Sequence, residues 1–136
     1  MSDNRRISEE YQQIADELIN TRPEFEYIKE SDATIICLAS DCEKKNGKDR
    51  VVFGQCEKVA DKYKWGIPCD FTITVFEPNI EGFTEEQIKI LLHHELLHVG
   101  VEFNPDGTET YFIRKHDLED FKIIIDKYGT EWSKTE

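Results

Sequence analysis

Positive charge is what this sequence is shortest of. Its 17 Lys and Arg face 29 Asp and Glu, for a formal net charge of −12. Nucleic-acid backbones are held by positive surfaces, so no nucleic-acid partner is expected. Docking on an anionic membrane is disfavoured for the same reason. A solvated acidic surface accounts for such charge, and an acidic nucleic-acid mimic is the one function class it favours. Long apolar runs are missing as well. "MSDNRRISEE" at the N-terminus offers no apolar core for a signal peptide, and "TIICLAS" is far too short to cross a bilayer. A cytoplasmic setting is expected. No C-x-x-C pair occurs: Cys37, Cys42, Cys56 and Cys69 follow C-x4-C, C-x13-C and C-x12-C spacings, which fit no common zinc ribbon. They read as reduced thiols serving as small residues on strands and loops. Nor is there an internal repeat, a low-complexity tract or a linker. With 136 residues and 38% of them hydrophobic, the chain can bury one core. A single domain over 1–136 is expected, ordered from about 7 to 129.

What is present is a succession of patterned segments. Residues 7–20 place Tyr11, Ile14, Ala15, Leu18 and Ile19 at helical spacing, with Ser8 as N-cap and Pro23 as the stop. "ATIICLAS" (33–40) reads as a buried strand, and "VVFGQCEKVA" (51–60) as a second. Asn46-Gly47 between them is a hairpin signal. "CDFTITVF" (69–76) alternates Phe71, Ile73 and Val75 against Thr72, Thr74 and Phe76, as a strand does. "FTEEQIKILLHHELLHVG" is the clearest helix. Thr84 and Gln87 form a capping box, Glu85 and Glu86 sit in the first turn, and Gly100 reads as the C-cap. "NPDGT" (104–108) is a tight turn and "ETYFIRK" after it a returning strand. Asp117 caps a last helix that ends at Gly129. The fold class expected is α+β: an N-terminal helix, a small sheet of three or four strands, a central helix and a C-terminal helix.

The chemistry concentrates in "HELLH", His94 to His98, which fits H-E-x-x-H. Residues four apart lie on one face of a helix, so both imidazoles can reach one zinc ion. Glu95 stands one step round, placed to take a proton from an attacking water without being a ligand. Going round the helix, Glu86, Lys89 and His93 form a polar stripe, whereas His94 and His98 fall in the apolar arc near Gln87 and Leu91. Buried imidazoles need partners, and a metal supplies one to each. His93 reads as a solvent-facing residue. Two histidines leave zinc short of the three protein ligands of a catalytic site. His116, in "RKHDLEDF", is the expected third, with Asp117 and Asp120 as alternatives and Glu119 ranked last. A peptide hydrolase also needs an exposed strand edge to hold an extended substrate, for which 51–60 or 69–76 would serve. Tyr111 is the candidate oxyanion donor, with Tyr128 and His93 as rivals.

"EPNIEGFTEEQIKILLHHELLHVG" followed by "RKHDLEDF" resembles the phage metallopeptidases, small zincin-like domains. The resemblance runs from about the first helix to the last. It implies a minimal zincin-like domain, zinc on His94, His98 and His116, Glu95 as catalytic base, and a protein or peptide substrate in a bacterial or phage-infected cytoplasm. More remotely, the order of elements is similar to SprT-like proteases, which also place a third histidine after the active helix. Two other functions stand beside a zinc-dependent peptidase. One is a non-catalytic zinc-binding zincin that modulates a host protein. The other is the acidic nucleic-acid mimic.

Overall fold

The structure, a computed structural model, describes residues 5–44, 51–60, 66 and 69–114. Ser8 starts the first helix, α1 (Glu9–Thr21), by accepting the Tyr11 N–H at 3.2 Å on its hydroxyl. Tyr11, Ala15 and Leu18 follow at steps of four and three and are all buried, which is one helix face. Pro23 cannot continue an α-helix. It opens a short 3-10 turn (Pro23–Phe25) that runs into helix α2 (Glu26–Glu30). Phe25 and Ile28 from this unit join the core. The helix starts two residues later than the expected residue 7, because Arg5–Ile7 form a strand, β1, in which Ile7 is 66% exposed.

Three further strands are β2 (Ile35–Ser40), β3 (Gly54–Lys58) and β4 (Phe71–Phe76). The sheet order is β1-β2-β4-β3, with β4 parallel to β2 and antiparallel to β3. The hairpin expected between the segments 33–40 and 51–60 is therefore not formed, since β4 lies between them. Asn46-Gly47 itself is outside the described residues. Composition explains the centre position. Phe71, Ile73 and Val75 are fully buried on the helix side of β4, while Thr74 and Phe76 are buried on the other. A strand apolar on both faces belongs where both faces are covered. The Arg5 guanidinium does part of that covering, donating to Thr74 Oγ1 at 3.1 Å and lying 5.8 Å from the Phe76 ring centre. Strand β1 reaches only Leu38–Ser40 of β2. Gln12 continues the cover: its amide donates to the Ile35 carbonyl at 3.0 Å and accepts the Cys37 N–H at 2.9 Å.

Helix α3 (Glu85–Leu96) packs across α1 and β3. Its capping box is complete, with Gln87 N–H donating to Thr84 Oγ1 at 3.2 Å and Thr84 N–H to Gln87 Oε1 at 2.6 Å. The helix stops at Leu96 rather than Gly100. Leu97 N–H is shared between the His93 and His94 carbonyls at 3.2 Å each, and His98 N–H donates to Glu95 O at 3.0 Å. This tightening of the last turn satisfies end carbonyls without a glycine. The chain leaves directly into β5 (Val99–Phe103), which pairs antiparallel with β6 (Glu109–Ile113) as a separate two-stranded sheet. Gly100 is a strand residue. A Cβ there would meet the Phe112 ring at 2.5 Å, so close approach explains the glycine. The turn between the strands follows "NPDGT" as expected. Gly107 has φ +89°, and Asn104 and Thr108 close the loop with an N–H···O bond of 2.9 Å. The fold is thus α+β, with four strands in the main sheet and the returning strand 109–113 in a hairpin of its own. The expected helix from Asp117 lies outside the described residues.

No disulfide links the four cysteines. Cys37 and Cys69 are buried, on β2 and just before β4, as small apolar residues. No helix among the described residues is long and apolar enough to cross a membrane.

Candidate metal centre

The end of α3 meets the beginning of β3 and the end of β6 at a cleft of about 360 Å³. Val51, Val52, Phe53, Gly54, Cys56 and Ile113 line it together with His94, Glu95 and His98. His94 and Glu95 are each 5% exposed, and His98 is half-buried in the turn that follows the helix. The two imidazoles stand at 84° to one another with ring centres 5.0 Å apart. Their Nε2 atoms are 3.4 Å apart. Two zinc–nitrogen bonds of about 2.0–2.1 Å at a tetrahedral angle place their nitrogens about 3.3–3.4 Å apart. The pair therefore has the spacing of two ligands of one ion.

The orientation of His98 fits as well. Its Nδ1 lies 2.8 Å from the Arg114 carbonyl oxygen. A carbonyl only accepts, so Nδ1 carries the proton and Nε2 presents its lone pair toward His94. Ligand histidines are commonly held this way, the far nitrogen donating to a carbonyl that fixes tautomer and ring plane. No side-chain pattern announces this partner, because the group is main chain.

Glu95 faces the same cleft. Burial pushes its carboxyl up, to about 8, and the Cys56 main-chain N–H opposes the shift. A carboxyl poised near neutrality can both take and give a proton. Gly54 lies against it: a Cβ there would touch Glu95 Cγ at 3.4 Å and crowd Leu91 Cδ1 and Thr74 O at 3.3 Å. Among the described residues strand β3 is the last of its sheet. Phe76 N–H donates to Phe53 O and Val59 N–H to Asp70 O, so the odd residues of β3 face β4. The main-chain groups of Gly54, Cys56 and Lys58 therefore point away from β4, beside the cleft, and Glu95 takes the Cys56 N–H there. Of the two strands expected to offer an edge, 69–76 is central and 51–60 is the outer one among the described residues.

His93 does not face solvent freely. Its Nε2 is 2.7 Å from Glu24 Oε2 and its ring centre 5.0 Å from that of Phe25, so it ties α3 to the Pro23–Phe25 turn. It is not among the described residues of the cleft. Tyr111 is not among them either. Its hydroxyl donates to Glu109 Oε1 at 2.7 Å, and its ring packs edge-on against Phe71. Among the described residues no third His, Cys, Asp or Glu completes a metal-holding group. His116, Asp117, Glu119, Asp120 and Tyr128 lie outside the described residues.

A family model described as "Putative phage metallopeptidase" matches residues 5–136. The chain belongs to the phage metallopeptidase family. The match covers the helix with H-E-L-L-H and the downstream K-H-D together, as the resemblance of those two segments implied. No curated protein and no solved structure is significantly similar to it. As its name says, the phage metallopeptidase family is one in which a metal is implied; among the described residues, His94 and His98 have the spacing that two ligands of one ion would need.

Proposed function

We propose that this chain is a zinc-dependent peptidase, a minimal zincin-like domain that acts on an extended protein or peptide segment in the cytoplasm. The observation that carries the reading is the 3.4 Å spacing of His94 and His98 Nε2, with Glu95 between them at one cleft. His94, His98 and His116 would hold the ion. The Arg114 carbonyl already lies against the His98 ring, and His116 is two residues further, a reach of at most about 7 Å. Asp117 and Asp120 are the alternative third ligands.

Bound zinc would supply Lewis acidity at the substrate carbonyl and acidify the attacking water. Glu95 takes the proton from that water on its carboxylate and delivers it to the leaving amine. Gly54 N–H and C=O, on the side of β3 away from β4, pair with the backbone of an extended substrate. Val51 and Ile113 border the cleft with apolar surface and exclude water from the reacting bond.

The test is metal analysis together with cleavage of an unfolded protein such as casein. Wild type is expected to hold one zinc per chain, and His94→Ala and His116→Ala to lose it. Glu95→Gln is expected to keep zinc and to lose cleavage by about 10²–10⁴-fold. A Glu95→Gln chain that cleaves as fast as wild type ends the mechanism. A chain that binds zinc and performs its role through a partner regardless of Glu95→Gln would instead be the non-catalytic zincin.

A further inference from the structure

Helix α2 carries a tyrosine that reaches both sides of His98. The Tyr27 hydroxyl donates to the main-chain carbonyl of Val99, the residue directly after His98. The same hydroxyl accepts from Arg114 Nη1 at 3.4 Å, and the Arg114 guanidinium carbon lies 5.7 Å from the Tyr27 ring centre. That distance is within the range of a cation–π contact. Arg114 in turn grips His98 twice through its own main chain. Its N–H donates to the His98 carbonyl at 2.7 Å, and its carbonyl accepts the His98 Nδ1–H at 2.8 Å.

Arg114 lies one residue past the end of β6; its N–H still keeps the β5–β6 register by donating to the His98 carbonyl, but its own carbonyl takes no ladder bond, since His98 N–H donates to Glu95 O. Its side chain is exposed except where it lies on Tyr27. We propose that Tyr27 and Arg114 are positioning residues of the metal centre: the stacked pair fixes the Arg114 main chain, which fixes the His98 ring with Nε2 toward His94. The inference rests on the zinc reading above. The physical reason is the ring's two-fold ambiguity. An imidazole turned over about its Cβ–Cγ bond presents Cδ2–H to the Arg114 carbonyl and puts Cε1–H where Nε2 had faced the ion. Only a carbonyl held still penalises that flip. Tyr27 holds the residues on both sides of the bond, Val99 and Arg114, from one hydroxyl.

The hydrogen bonds that lead from Tyr27 and Arg114 to His98 all run through main-chain groups, so the effect on His98 travels through the main chain. Tyr27→Phe keeps the ring and removes the hydroxyl. Arg114→Ala keeps the N–H and carbonyl and removes the stacked guanidinium. The experiment compares these two variants, their combination and wild type, with Arg6→Ala as a control whose ion pairs with Asp41 and Glu77 are remote from the cleft. Long-range ¹H–¹⁵N spectra of the metal-free chains read the His98 tautomer. Competition against a fluorescent chelator reads the zinc dissociation constant. Wild type and control are expected to show the Nδ1–H tautomer of His98 alone. Each variant is expected to show a mixture and to bind zinc about 10-fold more weakly, the low end of what a lost supporting contact costs. The effect of Tyr27→Phe should be smaller in the Arg114→Ala background than in wild type, because the Arg114 contact is one of the two routes by which Tyr27 acts, the Val99 bond being the other. Zinc affinity within about twofold of wild type in both variants overturns the proposal, as does a His98 tautomer that does not respond. A wild-type chain that binds no zinc would end the functional reading, and the tautomer spectra would then decide the Tyr27–Arg114 link alone.

Discussion

At the scale of single residues, adjacent positions on α3 have separate tasks. His94 and Glu95 face the cleft, while His93 faces the Pro23–Phe25 turn and Glu24. His93→Ala is therefore expected to leave zinc content unchanged and to cost no more than about 1 kcal/mol, the scale of a partly exposed pair. The hydrogen bond from His93 holds the Glu24 carboxyl below its usual range. A carboxyl depressed on folding stabilises above its unfolded pKa, and that contribution fades as pH falls through the folded value. The stability gap between wild type and His93→Ala should accordingly close below about pH 4, as urea titrations at several pH values would reveal. A gap that stays constant into acid would mean that the pair contributes nothing. Gly54 is the opposite case, a residue defined by what it lacks. A methyl there would sit 3.3 Å from Leu91 Cδ1 and Thr74 O and 3.4 Å from Glu95 Cγ. Gly54→Ala should cost about 1–2 kcal/mol through crowding. It should keep zinc, since neither histidine is touched, and slow cleavage if β3 and Leu91 shift away from one another and carry Glu95 with them. Full activity with normal stability would show that Glu95 is not seated against β3.

At the scale of elements, the structure rests on side chains that do backbone work. Where β1 ends, the amide of Gln12 takes over the edge of β2 and satisfies Ile35 C=O and Cys37 N–H. Gln12→Ala would leave the N–H of a fully buried strand residue, Cys37, and the Ile35 carbonyl without that partner. The expected loss is about 1–3 kcal/mol in urea denaturation, and a loss below about 0.5 kcal/mol would mean that water replaces the amide. The same locality explains which elements could be read in advance. The starts of α1 and α3 are written in adjacent residues, Ser8 with its apolar spacing and Thr84 with Gln87, and both caps form as read. Strand β1 has only three exposed residues and no alternation, so nothing local marks it. Gly100 imitates a helix C-cap, although its absent side chain serves Phe112 across the β5–β6 pair. Strand neighbours are set by which segment most needs both faces buried. That is a property of Phe71–Phe76 relative to the whole sheet, and it overrides a turn signal at Asn46-Gly47.

At the scale of the whole molecule, one point joins parts of the chain that otherwise contact little. His94 belongs to α3, His98 starts the β5–β6 hairpin, and Arg114 ends it. His94 and His98 were legible because four-residue spacing is a local pattern. The carbonyl that orients His98 was not, since it is contributed by tertiary folding from sixteen positions away. An ion bound by both histidines and by His116 would lock the helix, the hairpin and the following segment together. Zinc would then bind the folded chain and not the unfolded one, and folding would be coupled to metal. At free zinc about 100-fold above its dissociation constant this adds about 2.7 kcal/mol, or on the order of 10 °C in Tm for a chain of this size. Thermal scans over a zinc series should show that rise in wild type and in Glu95→Gln alike, because the base is not a ligand. His94→Ala should show none of it, and a chelator should return wild type to the His94→Ala baseline. The −12 net charge supplies a control, because a diffuse acidic surface would respond to calcium or magnesium as it does to zinc. A rise of equal size with those ions, or one that survives in His94→Ala, would place the stabilisation on the surface charge and remove the metal clamp.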